Sequence, residues 1–212
     1  MVTEEKLRET VERICTIPLV RDCLALLKKK LPHNLSYHSY AHTTEVLQDA
    51  LLFGLVDALS PRNLELLAIA AVMHDMGFIQ TPQANEPIAA KHARGEMLKA
   101  GGYSDQEIKL VEQMILDTAL VKKDGEIKQI PHTELSKYLL DADLGNFGRD
   151  DFLKKSELMR AEVGQDEASF RAQTLQLLTS HEWYTPAAKM LRQATKDANL
   201  ATLRARVASS GS

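Results

Sequence analysis

The chain has 212 residues, enough for one domain with a sizeable core and too few for two generous ones. Apolar residues make up 44% and charged residues 26%, the ordinary balance of a globular protein. Acidic residues (29) slightly outnumber basic ones (26), for a formal charge of −3, so the basic footprint of a nucleic-acid binder is missing.

Helical periodicity runs through nearly every segment, and sustained strand-type alternation is absent, so the expected fold is all-α. Residues 3–15 and 18–30 read as a helical pair broken near Ile17-Pro18, with Lys28, Lys29 and Lys30 as a solvated helix end. A polar loop, PHNLSYHSY, leads into a helix over about 41–58. Ser60 followed by Pro61 starts the next helix, which Gly77 is expected to close as a C-terminal glycine. Asn85 reads as the cap of a helix over about 86–100, and Ser104 with Glu107 as the capping box of another over 105–120.

The stretch VKKDGEIKQIP, residues 121–131, contains a Lys-Asp-Gly turn and reads as a surface excursion or short hairpin. Helices resume at about 133–146, 149–163, 166–181 and 187–206, with 207–212 as a disordered tail. The expectation is a single domain over 1–206. In the last helix Met190, Leu191, Leu200 and Leu203 either pack on the chain's own core or form a homodimer seam. Cys15 and Cys23, with neither zinc spacing nor a disulfide framework, read as reduced core thiols. The N-terminal MVTEEKLRET is unlike a signal or transit peptide, and no apolar run approaches about 18 residues. A cytoplasmic address with no membrane partner is the expectation.

Some polar residues break this pattern. The segment ELLAIAAVMHDMG is apolar almost throughout, yet ends by setting His74 beside Asp75. Burying that pair is costly unless something answers it. His42 begins one helix, and Asp143 sits in YLLDADLGNFG among core-type neighbours. Imidazole and carboxylate together suit a divalent metal, and a metal supplies the positive charge that makes buried carboxylates tolerable.

In order, His42, the His74-Asp75 doublet and Asp143 resemble the signature of the HD-domain superfamily of metal-dependent phosphohydrolases. The surrounding segments extend the likeness over about residues 35–165. YHSYAH is similar to that superfamily's "YH…H" opening. ANEPIAAKHARGEML, MILDT and LLDADLGNFG resemble the "NE–SA–A–L", "I–T" and "LLDADL–LG" segments of one phosphohydrolase branch.

The resemblance implies a single-domain multi-helix bundle of HD type. It also implies that His42, His74, Asp75 and Asp143 hold one divalent ion (Mn, Co, Mg, Ni, Zn or Fe), with positions left for water and substrate. Dinuclear relatives carry extra histidines that fall by register near Glu86 and Thr118, and neither is a histidine here. His92 and His132 lie out of register and read as surface residues. The implied activity is hydrolysis of a phosphomonoester or phosphodiester of a small, nucleotide-like molecule by metal-activated water.

On this resemblance Asp75 both binds the metal and orients the water, and Glu86 is a general base or a group supporting the ligands from behind, or else a plain acid favoured by its helix dipole. Asp117 and Asp141 are candidates to support the ligands from behind. His38, Lys91, Arg94 and Arg160 are candidates for the phosphate, although each basic residue also fits a solvated surface position. The alternatives are a non-catalytic HD module that binds a nucleotide or a protein partner, and a two-iron oxygenase.

Overall fold

The computed structural model describes residues 2–81 and 83–209. Ten α-helices account for most of it. They are α1 (Glu4–Cys15), α2 (Pro18–Lys30), α3 (Tyr40–Val56), α4 (Pro61–Met73), α5 (Asn85–Ala100), α6 (Asp105–Asp117), α7 (Glu134–Asp143), α8 (Phe152–Val163), α9 (Glu167–Ser180) and α10 (Pro186–Ser209). The all-α expectation holds.

Capping residues set most of the boundaries. Ser39, Ser60, Thr133 and Asp166 each accept a hydrogen bond from a backbone N–H of the first turn they precede. Ser104 and Glu107 form the expected capping box, with Ser104 N donating to Glu107 Oε2 across 2.8 Å. The Arg62 guanidinium grips Glu107 through Nε (2.7 Å) and Nη2 (3.1 Å), which ties the start of α4 to the start of α6.

The core is built around α4. From Leu64 to Met73 every residue but Glu65 is buried, on all faces of the helix, as its uniformly apolar sequence requires. It packs on α2, α3, α5, α6 and α7, and the small side chains of Ala68, Ala70 and Ala71 leave room for that crowding. A helix surrounded in this way delivers the residues after its last turn into the interior, and here those residues are His74 and Asp75.

The excursion after α6 is a hairpin, the one sheet among the described residues. Strand β1 (Val121–Lys123) pairs antiparallel with β2 (Glu126–Lys128). Asp124 (φ 55°) and Gly125 (φ 84°) make the turn, both in the left-handed region that a two-residue hairpin demands.

Three local expectations need correction. Gly77 does not close α4 in a left-handed conformation. It lies in the 3-10 turn Met76–Ile79, and a Cβ there would meet the backbone oxygen of Asn85 at 2.2 Å, so its role is close approach. Asn85 does not cap α5. Ala84, with a left-handed φ of 56°, precedes the helix, and Asn85 is its first residue with its side chain buried. Finally, α10 continues through Ser209, three residues past the expected end at 206; the rest of the expected tail, 210–212, lies outside the described residues. Along α10, Leu203 is buried and Leu200 packs on the core, while Met190 and Leu191 are exposed. No helix among the described residues is long and apolar enough to cross a membrane.

Candidate metal centre

His42 comes from the first turn of α3, His74 and Asp75 from the end of α4, and Asp143 from the last residue of α7. These helix ends meet because α3 packs against both α4 and α7, with its start beside their C-termini. Four donor atoms result. His42 Nε2 lies 3.5 Å from Asp75 Oδ2 and 3.3 Å from Asp143 Oδ1. His74 Nε2 lies 3.1 and 3.4 Å from the same two oxygens. Ligands held about 2.1 Å from one ion stand roughly 3.0–3.4 Å apart when tetrahedral or cis-octahedral. The four His–Asp separations are of that order, and the His42, His74 and Asp75 side chains form a compact buried group able to hold a metal ion, with Asp143 beside both imidazoles.

The hydrogen bonds around the donors point the same way. His74 Nδ1 donates to the Ala71 carbonyl across 2.7 Å, which fixes the tautomer and leaves Nε2 as the ligand atom. Asn85 Nδ2 donates to the His74 carbonyl and to Asp75 Oδ1, both at 3.1 Å. Gln129 Nε2 donates to Asp143 Oδ2 at 2.6 Å and to the Thr118 carbonyl at 2.7 Å. Each carboxylate thus has one oxygen tied from outside and the other turned to the cluster. His74 Nε2 and Asp75 Oδ2 are fully buried and lack a hydrogen bond of acceptable geometry. A pair of inward, unsatisfied donor atoms backed by satisfied neighbours fits a cation.

Electrostatics agree. Burial alone would lower the His74 pKa, but Asp75 and Asp143 outweigh it and hold it well above the ordinary value. Burial would raise the carboxylates, yet the imidazoles, His74 foremost for Asp75 and both for Asp143, bring the two below theirs. Two carboxylates here, Asp75 buried and Asp143 mostly so, demand positive charge close by.

The cluster opens on a cavity of about 520 Å3. His74, Asp75 and Asp143 line its floor, and His42 sits behind them. Glu86, Thr118 and His38 line it too. Glu86, half-buried in the first turn of α5, makes no hydrogen bond or ion pair with any described residue. His38 Nδ1 is hydrogen-bonded to Glu162 of α8, and its ring is stacked on Phe78 with centroids 4.3 Å apart. Glu162 also accepts from the backbone N–H groups of Tyr37 (2.7 Å) and His38 (3.1 Å), so it fastens the loop before α3.

Other candidates lie elsewhere. Lys91 is exposed and Arg94 pairs with Glu112 at 3.1 Å, both outside the cavity. Arg160 pairs with Glu157 at 2.8 Å. Asp117 accepts from Gln113 and from the backbone and ring of His132, which is a clasp on the hairpin's return. Asp141 accepts from Tyr184 N, Thr185 N and Thr185 Oγ1 and so anchors the start of α10. His132 is exposed; His92 is half-buried between α2 and α5, away from the cluster.

Sequence reasoning missed Gln129 and Glu162 and misassigned Asn85. An Asn-Glu pair just after the doublet was the one available signal. Gln129 carried none, because the hairpin register places it.

No family model matches the sequence, and no curated protein matches it either. Solved structures do. Bacillus subtilis YpgQ in complex with ADP superimposes with a TM-score of 0.60 at 16% identity, covering 88% of this chain and 94% of that one. A structural-genomics target from Lactobacillus plantarum gives 0.63 at 17% identity over 99% and 100%. The likeness is one of fold. The all-α bundle is therefore shown twice over, by its own helices and by these neighbours.

Proposed function

We propose that this chain is a metal-dependent phosphohydrolase that cleaves a small phosphoester with water. The observation that carries this is the set of four inward donor atoms at the floor of a cavity, each imidazole nitrogen 3.1–3.5 Å from both carboxylate oxygens. Their residues would hold one divalent ion, which when bound supplies the positive charge that polarises a phosphoryl oxygen and acidifies water.

The chain's own groups do the rest. Asn85 and Gln129 keep the two carboxylates turned toward the cluster, so the ligand geometry does not have to form anew at each turnover. Glu86 is uncommitted and faces the same cavity, and it takes the proton from the attacking water. With Nδ1 held by Glu162, His38 offers its other ring nitrogen to a phosphoryl or leaving-group oxygen. Phe78 and Tyr37 pack around that imidazole and limit water on its face. Thr118 and Glu86 occupy the places where dinuclear relatives carry histidines, which supports one ion per chain. The ADP held by YpgQ, a fact about that protein, fits a phosphate-bearing substrate here.

The test is a chain loaded with Mn, Co, Mg, Ni, Zn or Fe in turn and assayed on p-nitrophenyl phosphates, simple mono- and diesters and nucleotides. The expected result is turnover with about one ion bound per chain. Tight metal binding with no turnover on any ester would replace the hydrolase with a binding module. Two irons per chain with oxygen uptake would replace it with an oxygenase.

A further inference from the structure

The cavity has a second property, which bears on the substrate it admits. Among the described residues no lysine or arginine lines it. Its basic groups beyond the cluster reduce to His38, whose charge Glu162 already answers. Against this stand the carboxylates of Asp75, Asp143 and Glu86. Asn85, Gln129 and Asn146 also line it, and their side chains carry no charge.

Farther from the donors the wall becomes apolar. Met159 and Val163 of α8 and Phe170 and Leu177 of α9 face Leu120 and Ile127 from the hairpin side. At the mouth Leu120 is 47% exposed, Ile127 40% and Val163 52%, so the apolar surface continues to the rim. Gln165, Gln173 and Thr174 add hydrogen-bonding capacity without charge.

From this we infer that the substrate carries a single phosphoryl group on an uncharged, largely apolar body. The inference rests on the phosphoester reading for its phosphate end. One phosphoryl group is met by a divalent ion and His38. A second phosphate or a carboxylate on the body would lie against apolar side chains, with no counter-charge to offset its desolvation. An apolar body gains from the same surfaces in proportion to the area it buries.

Binding of non-hydrolysable phosphonates tests this independently of turnover. The metal-loaded full chain is titrated calorimetrically with methylphosphonate, hexylphosphonate and 6-phosphonohexanoate, the last ending its chain in a carboxylate. Hexylphosphonate is expected to bind at least tenfold tighter than methylphosphonate, the gain from burying about two methylenes. The carboxylate-ended compound is expected to bind no better than methylphosphonate. In Val163→Lys, at the exposed rim, the carboxylate-ended compound should gain at least threefold while hexylphosphonate weakens. Equal affinity for the methyl and hexyl compounds, or a carboxylate-ended compound as tight as hexylphosphonate, overturns the inference. Hydrolysis of methyl and hexyl phosphate is scored separately. Equal kcat/KM for the two esters overturns the inference and leaves the hydrolase standing. No hydrolysis of either, with the hexylphosphonate preference intact, overturns the hydrolase and leaves the body class standing.

Discussion

Asn85 Nδ2 lies 3.1 Å from Asp75 Oδ1, joining the first turn of α5 to the turn that ends α4. Gln129 does the same for Asp143 from the return of the hairpin, at 2.6 Å. Groups that orient metal ligands typically cost ten- to a hundredfold in metal affinity when removed. Asn85→Ala and Gln129→Ala should each show a loss of that order in competition with a chromophoric chelator. If both variants bound metal like the parent, these bonds would be mere packing.

Removing a ligand is a harsher change. His74→Ala and Asp75→Ala are each expected to abolish metal binding and turnover while far-UV circular dichroism stays helical, since α4 is held by its apolar faces rather than by its end. Full turnover in either variant would show that the site has been misplaced.

Glu86 separates a proton-transfer role from a bystander at a helix start. Glu86→Gln keeps the shape and removes the base, so kcat should fall about a hundredfold or more with KM and metal content little changed. An unaltered kcat would leave Glu86 as an acid placed well in its helix dipole.

Gly77 and Gly95 make opposite predictions from the same substitution. At Gly77 an added methyl meets Asn85 backbone atoms at 2.2 and 2.7 Å, so the turn and α5 must separate. Gly77→Ala should cost about 2–4 kcal/mol in urea unfolding, and metal affinity should fall with it. Gly95 lies inside α5 with nothing within 4 Å of the added Cβ, and Gly95→Ala should stabilise by about 0.5–1 kcal/mol.

His181 predicts a pH dependence. Its ring lies 5.2 Å from that of Phe147 and 4.4 Å from that of Trp183, and burial together with the Lys196 ammonium pushes its pKa down to about 3. The folded chain keeps it neutral where the unfolded chain, with an ordinary value near 6.5, takes up a proton. Its contribution is therefore complete above pH 6.5 and is lost as the pH falls toward 3, by at most about 1.4 kcal/mol per unit. Asp141, pushed up to about 6 by burial against its three hydrogen bonds, acts in the opposite sense over about pH 4–6 and is common to both proteins. The unfolding free energy of His181→Phe relative to the parent should rise by about 2 kcal/mol between pH 7 and pH 5. A flat difference would show that the buried imidazole protonates freely in the fold.

Most helix starts and the hairpin turn were legible in the sequence, because each depends on neighbours a few positions away. Ser39, Ser60 and Ser104 stop water competing for the N–H groups just after them, and ELLAIAAVM can only be a helix covered on every side. Gly77 and Asn85 were misread for the converse reason. Both have ordinary local roles in general, and here a contact between the two overrides them.

By itself, then, the sequence determined an all-α chain with a costly polar doublet at the end of its greasiest helix. Periodicity and capping are short-range, so they survive without a tertiary context. Only the tertiary structure decided that His42 and Asp143 meet the doublet at 3.5 and 3.4 Å, that Asn85 and Gln129 hold the carboxylates, and that Lys91 and Arg94 lie away from the cavity. Those facts depend on how α3, α4, α5 and α7 cross and on the hairpin register. Such geometry is set by packing between residues distant in the chain, which no local pattern encodes.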